Sequence, residues 1–116
     1  MILKYEYVVI NENFEAYISD EDTFNFSSLI DGKVFENLDL AKMVCSRLNG
    51  IDYSSYWRVI PLKYALIESI EYLSNKGNNA DYNSINNGLY MHNLFRDINS
   101  QIKLLRSLED VENSFS

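Results

Sequence analysis

The spacing of apolar residues changes near Pro61, and this change constrains the fold more than any other feature of the sequence. Before that point, β-branched and aromatic residues form short runs that are typical of strands. These runs are residues 4–10, 14–19, 23–27 and 56–62. After it, apolar residues recur every three or four positions, as one face of a helix requires. We therefore expect a sheet in the first half and helices in the second.

One segment of the first half has helical spacing and would cover the sheet. Asn37 is a suitable N-cap, and Asp39 favours the positive end of a helix. The apolar face that follows consists of Leu40, Ala41, Val44, Cys45 and Leu48. Gly50 is expected to stop this helix. A small antiparallel β-sheet with one packed helix buries both apolar surfaces, so the sequence predicts an α+β fold with a ββ(β)αβ module at 1–62.

The second half predicts a helical hairpin at 63–116, packed with the first module as a single domain. Its first helix is expected to end at Gly77, and Pro61 either closes the preceding strand or begins this helix. The apolar stripe of the first helix is Leu62, Leu66, Ile67, Ile70 and Leu73. The second helix carries a seam with heptad spacing, which packs either against the first helix or against a second copy in a homodimer. The seam consists of Met91, Phe95, Ile98, Ile102 and Leu105.

Acidic charge is concentrated between Lys4 and Lys33, where no basic residue occurs. That segment holds seven acids and six aromatic residues. The net charge of −7 arises there, because the rest of the chain has ten acids and ten bases. Binding to nucleic acid or to an anionic membrane requires a surface of Lys and Arg, so neither partner is expected.

Acids interleaved with aromatic residues favour a basic protein surface as the partner. Carboxylates steer the encounter, and Tyr and Phe supply rigid contact area. The expected contact residues are Glu15, Tyr17, Asp20, Glu21, Asp22 and Phe24. The alternative interpretation is a solvated acidic face with no partner.

No residue pattern nominates a catalytic or metal site. A nucleophilic enzyme needs a nucleophile, a base and an orienting group. Cys45 lies on the apolar face of its predicted helix, where it is more simply a packing thiol. His92 is the single histidine, and the acids at 20–22 lack the spacing of a calcium-binding loop. We therefore expect a protein that is not an enzyme and that needs no cofactor and no metal.

The segment KVFENLDLAK at 33–42 resembles a pattern in small phage and prophage accessory proteins. In that pattern a β-hairpin precedes the segment and a Y-x-V-x-P strand follows it, here YWRVIP at 56–61. The resemblance covers the N-terminal half only, and it departs from the pattern at Gly32, where Ala is usual. It implies the fold of the first module and a phage-type origin, and it transfers no catalytic residue.

Two functions follow from these observations. The first is a phage-type accessory protein that binds and inhibits or modulates a host protein through the acidic surface, as a nucleic-acid mimic or an anti-defence factor. The second is a structural or regulatory homo-oligomer that uses the C-terminal helices. The single cysteine and the lack of an export signal or of an apolar run of about 18 residues predict a cytoplasmic protein, in the host cell if phage-encoded.

Overall fold

Four short strands form one antiparallel sheet in the first part of the chain. They are β1 (Tyr7–Ile10), β2 (Ala16–Ser19), β3 (Asn25–Ser27) and β4 (Arg58–Pro61), and they lie in the order β3-β2-β1-β4. The structure is a computed structural model that describes residues 5–19, 25–52, 54–78 and 87–114. The chain divides into two compact units, Met1–Ala65 and Leu66–Ser116. The first contains the sheet and is called the sheet unit, and the second is called the helical unit.

The central strand β1 is buried on both faces. Val8, Val9 and Ile10 have no exposed surface, which accounts for a continuous apolar run where a one-sided strand would alternate. On one side β1 pairs with β2 through the Ile10–Ala16 register, and on the other it pairs along its length with β4. Both outer strands, β3 and β4, are therefore edge strands of the sheet.

Helix α1 (Leu38–Ile51) covers one face of the sheet. The Asn37 side chain accepts a hydrogen bond from the Leu40 N–H at 3.1 Å, so the predicted N-cap is confirmed. The predicted stop at Gly50 is wrong, because the helix continues to Ile51 and the Asp52 N–H bonds the Leu48 carbonyl at 2.8 Å. Gly50 does not adopt a positive φ, so it is an ordinary helical residue.

The core of the sheet unit lies between α1 and the face of the sheet that it covers. Its buried members are Val9, Tyr17, Phe35, Ala41, Cys45, Leu48 and Trp57. The rings of Tyr17 and Phe35 are stacked with centroids 6.2 Å apart. The backbone at Gly32 passes close to Ala16. A Cβ at position 32 would lie 2.6 Å from the Ala16 Cβ. Position 32 therefore favours glycine over a residue that carries a Cβ.

The helical unit contains most of α2 (Leu62–Asn78) and all of α3 (Asn87–Ser114), which pack together. Helix α2 begins directly after Pro61, so the proline closes β4. The predicted helix end at Gly77 is wrong, because Gly77 lies inside α2 and allows Leu94 to approach. Within the described residues, none of the helices combines the length and apolarity that a membrane span requires.

The heptad seam of α3 packs within the chain, but in a different register from the prediction. Met91 and Ile98 are buried as expected, with Leu94 between them. Phe95 is 52% exposed, so it does not belong to the part of the seam that packs within the chain. The apolar stripe of α3 is broad, and the buried positions within it include Leu94 and the polar Gln101. The spacing of apolar residues alone could not have predicted that Gln101 is buried. The seam residues Ile102 and Leu105 are half-buried at its margin.

The last described turn of α3 reaches Ser114. The Ser114 hydroxyl donates to the Val111 carbonyl at 2.7 Å, which closes the last turn of the helix.

Candidate functional site

The turn between β1 and β2 is organised by one buried side chain. Asn11 is 1% exposed, and its Oδ1 accepts from the N–H groups of Asn13 and Glu15, both at 3.0 Å. Its Nδ2 donates to the Glu15 carboxylate at 3.0 Å. This is the side-chain-to-backbone bonding that makes Asn a turn residue. The positive φ of 60° falls on Phe14, however.

Glu12 connects this turn to the loop that precedes β4. Its Oε2 accepts a hydrogen bond from the Tyr56 N–H at 2.8 Å, across 44 positions of sequence. This bond holds the pKa of the Glu12 carboxyl below its ordinary value. Glu12 is therefore a fully ionised, positioned carboxylate at neutral pH.

Asp52 supplies a second positioned carboxylate in the same loop. Its Oδ1 accepts from the Ser54 hydroxyl at 2.6 Å and from the Ser54 N–H at 3.1 Å, and its Oδ2 accepts from the Trp57 indole N–H at 2.9 Å. The Ser54 hydroxyl and then the Trp57 indole lower the pKa of Asp52. Asp52 in turn repels Glu12 electrostatically, so the two charges share one neighbourhood.

Asn49 fixes the end of the loop to α1. Its Oδ1 accepts from the Trp57 N–H at 2.8 Å, and its Nδ2 donates to the Trp57 carbonyl at 2.9 Å. The Trp57 side chain is 1% exposed, whereas the preceding Tyr56 side chain is 70% exposed. A large aromatic ring therefore lies in solvent on a residue whose backbone N–H is bonded by Glu12, in the same loop as Asp52. We call Glu12, Asp52 and Tyr56 the acidic turn surface.

The predicted contact residues are only partly on the surface. Tyr17 is 4% exposed and stacks on Phe35, so its place in a docking surface is wrong. Its alternating position in β2 points it toward α1. Glu15 is half-buried and is held by Asn11. The other predicted contacts, Asp20, Glu21, Asp22 and Phe24, lie outside the described residues.

Sequence reasoning missed Asp52 and Tyr56. Both belong to a polar loop at 52–56. Its composition predicts a turn, but it does not indicate which other residues lie next to that turn in space. Their proximity to Glu12 depends on the pairing of β1 with β4, which brings the start of β4 next to the end of β1.

A shallow groove of about 440 Å³ lies between α1 and β4. It is lined by Lys42, Cys45, Ser46, Asn49, Tyr56, Trp57, Arg58 and Val59. Cys45 is 8% exposed, and desolvation raises the pKa of its thiol, so the sulfur is protonated and poorly nucleophilic at neutral pH. Within the part of the chain that the structure describes, no group of three or more His, Cys, Asp or Glu side chains is placed to hold a metal ion.

Comparisons with known proteins give no relative from which a function could be transferred. No protein-family model matches the chain. Searches of curated proteins and of solved structures found no significant match either. The functional argument therefore depends on the acidic turn surface and on the groove.

Proposed function

We propose that this protein is a non-enzymatic accessory factor, of the type found in phages, that binds a basic surface of a host protein and inhibits or modulates it. The acidic turn surface is the contact site in this proposal. The observation that carries it is Tyr56, which is 70% exposed while its backbone N–H is fixed by Glu12. Aromatic rings held rigidly in solvent contribute contact area at low entropic cost, which is why Tyr is enriched at interfaces.

The charges beside this ring suit a basic partner. Both carboxylates have a lowered pKa, so both remain ionised throughout the physiological range. Charges of this kind raise the rate of association and select partners of opposite sign. A partner whose basic surface normally contacts nucleic acid would meet negative charge at fixed positions, which is how a nucleic-acid mimic competes.

Affinity capture from a host lysate tests this proposal. The wild-type chain is compared with a Tyr56→Ser variant and with a Glu12→Gln/Asp52→Asn variant. A matched control, Glu71→Gln/Asp110→Asn, removes the same charge from exposed helical positions. We expect a host protein that is released by high salt, is lost with both site variants and is retained by the control. Retention by all four proteins, or binding that salt does not weaken, would contradict the proposal.

A second candidate is a homo-oligomer formed through α3. It is favoured by Phe95, which is 52% exposed one heptad before the half-buried Ile102 on the same side of the helix. Sedimentation of the purified chain at increasing concentration tests it. A concentration-dependent dimer that Phe95→Ser dissociates would support this function, and a monomer at all concentrations would contradict it.

A further inference from the structure

The outer edge of β4 presents unused backbone hydrogen-bonding groups. The Leu62 N–H donates to the Glu6 carbonyl at 2.8 Å, which marks this pair as hydrogen-bonded across β1 and β4. Antiparallel pairs alternate between hydrogen-bonded and non-hydrogen-bonded. The Val9–Val59 pair lies three positions along the strands from the Glu6–Leu62 pair, and because three is odd, it is a non-hydrogen-bonded pair. The N–H and C=O of Val59 therefore point away from β1.

The neighbouring outward positions on this edge are already closed. The N–H and C=O of Trp57 are both bonded by the Asn49 side chain. Pro61 has no N–H to donate. Val59 lies between them, and its outward groups have no partner among the described residues. The edge thus offers one N–H donor and one C=O acceptor, both from Val59. One residue of an added antiparallel strand could bond to both groups.

These groups open into the groove between α1 and β4. Its floor is apolar, with Cys45, Trp57 and the half-buried Val59. Its volume of about 440 Å³ falls within the range of roughly 300–1,000 Å³ that ligand pockets occupy. Asn49 stands at one end, beside Trp57. Lys42 lies two helical turns earlier on α1, so it stands toward the other end.

The charge of the groove is opposite to that of the protein. None of the described residues that line it is acidic, although the chain carries a net charge of −7. The Arg58 guanidinium lies over the Phe14 ring, 5.6 Å from its centroid, so the exposed Lys42 is the charge that faces a ligand in the groove. A second copy of β4 contains no acid to meet Lys42, so edge-to-edge pairing of two chains fits poorly.

We propose that this groove binds an extended, acidic polypeptide segment of a partner protein. The segment adds to the edge of β4 through two backbone hydrogen bonds with Val59, and a carboxylate of the segment approaches Lys42. Recognition of this type takes affinity from main-chain bonds and specificity from side-chain contacts. The groove shares Tyr56 with the acidic turn surface, but neither Glu12 nor Asp52 lines it, and the proposal does not depend on the function proposed above.

The test uses a capped octapeptide of alternating Glu and Val as the probe. It is titrated into ¹⁵N-labelled protein, and the reaction of Cys45 with a maleimide is followed in parallel, because Cys45 is the single cysteine. We expect a shift of the Val59 amide signal, slower exchange of its proton and slower modification of Cys45. A matched peptide of alternating Lys and Val should bind more weakly.

Variants and a modified peptide separate the backbone and charge contributions. Lys42→Glu should raise the Kd of the acidic peptide about tenfold, whereas the same change at the exposed Lys103 should leave it unchanged. N-methylation of the central peptide residues removes donors to the Val59 carbonyl and should abolish binding. Glu12→Gln/Asp52→Asn should not weaken this peptide, so failure here and failure of the acidic turn surface are distinguishable.

Three results would overturn the proposal. The first is an unshifted Val59 amide at millimolar peptide. The second is equal binding of the acidic and basic peptides. The third is a protein whose Val59 amide is already protected in a dimer without peptide, which would assign the edge to a second copy of the chain.

Discussion

The sheet unit and the helical unit treat buried polar side chains in opposite ways. In the sheet unit, the buried Asn11 and the half-buried Asn49 each make several hydrogen bonds that hold a turn or a strand in place. In the helical unit, Ser69 and Gln101 are 0% and 1% exposed, yet the Ser69 Oγ and the Gln101 Oε1 have no partner among the described residues. Leaving a buried polar group unbonded costs more than a typical hydrogen bond contributes. The same chemistry therefore stabilises one unit and weakens the other.

This difference indicates which unit carries the candidate sites. The bonded amides of the sheet unit lie directly under the acidic turn surface and at the end of the groove, so they position the candidate sites. The helical unit is held by apolar packing of Met91, Leu94 and Ile98 against α2. Its buried polar groups support no comparable surface. Substitutions in the sheet unit should accordingly be more damaging than similar ones in the helical unit.

The largest expected effect is at Asn11. Asn11→Ala removes the acceptor of two turn amides and should lower the free energy of unfolding by roughly 2–3 kcal/mol. Urea denaturation followed by circular dichroism measures it. The control is Asn99→Ala, an exposed position on α3, where little change is expected. Equal effects at the two positions would remove the distinction between the units.

Two glycines extend the test to packing. A Cβ at Gly32 would lie 2.6 Å from the Ala16 Cβ, which is fixed to the backbone, so Gly32→Ala should cost roughly 1–3 kcal/mol. A Cβ at Gly77 would lie 3.1 Å from the Leu94 Cδ2, the end of a side chain that can move. The gain of about 1 kcal/mol in helix propensity should largely offset that adjustment. Similar losses in thermal denaturation would show that the helical unit is as tightly constrained as the sheet unit.

Removal of the unbonded polar groups should stabilise the helical unit. Ser69→Ala should raise the free energy of unfolding by about 1 kcal/mol, because it deletes a buried hydroxyl that has lost its hydration. Gln101→Met should have a smaller effect, because it also removes the hydrogen bond from the Gln101 Nε2 to the Asp97 carboxylate. Ser107→Ala, at an exposed position on α3, controls for the better helix propensity of alanine. A loss of stability in Ser69→Ala would indicate that the Ser69 hydroxyl is bonded after all.

The smallest expected effect is a pH dependence that belongs to the sheet unit. Both Glu12 and Asp52 have a pKa that folding lowers, so the folded state holds fewer protons than the unfolded state. Their contribution to stability is complete above the ordinary carboxyl range and is lost as the pH falls below about 4. Denaturation of the wild type and of Glu12→Gln/Asp52→Asn between pH 7 and pH 3 measures it. The difference between the two proteins should shrink toward acid, and a constant difference would contradict the assignment.

Local signals in the sequence predicted the architecture well. Short apolar runs located the strands, and Asn37 located the start of α1, because both depend on neighbouring residues alone. Glycine as a helix stop failed at Gly50 and Gly77. Neither adopts a positive φ, so both are ordinary helical residues, and Gly77 serves the packing of Leu94. Such a role depends on a partner helix that single-sequence reasoning does not see.

The candidate sites were harder to predict for the same reason. Tyr17 was assigned to the surface because acids surround it in sequence, whereas the strand turns its ring toward α1. Glu12 and Tyr56 meet only because β1 pairs with β4. Position 32 needs a glycine because a Cβ there would lie 2.6 Å from the Ala16 Cβ. In each case the deciding contact is distant in sequence.

The Asn49 clamp on Trp57 also has a consequence for solubility. An uncapped edge strand is a template on which further chains can pair, and this is a common route to aggregation. Here a helix side chain occupies one position of the β4 edge and a proline without a donor occupies another, so that only Val59 remains open between them. A single open position can bind a short peptide segment, but it cannot support a continuous ladder of hydrogen bonds from one molecule to the next. Asn49 and Pro61 therefore interrupt the run of open backbone groups along this edge.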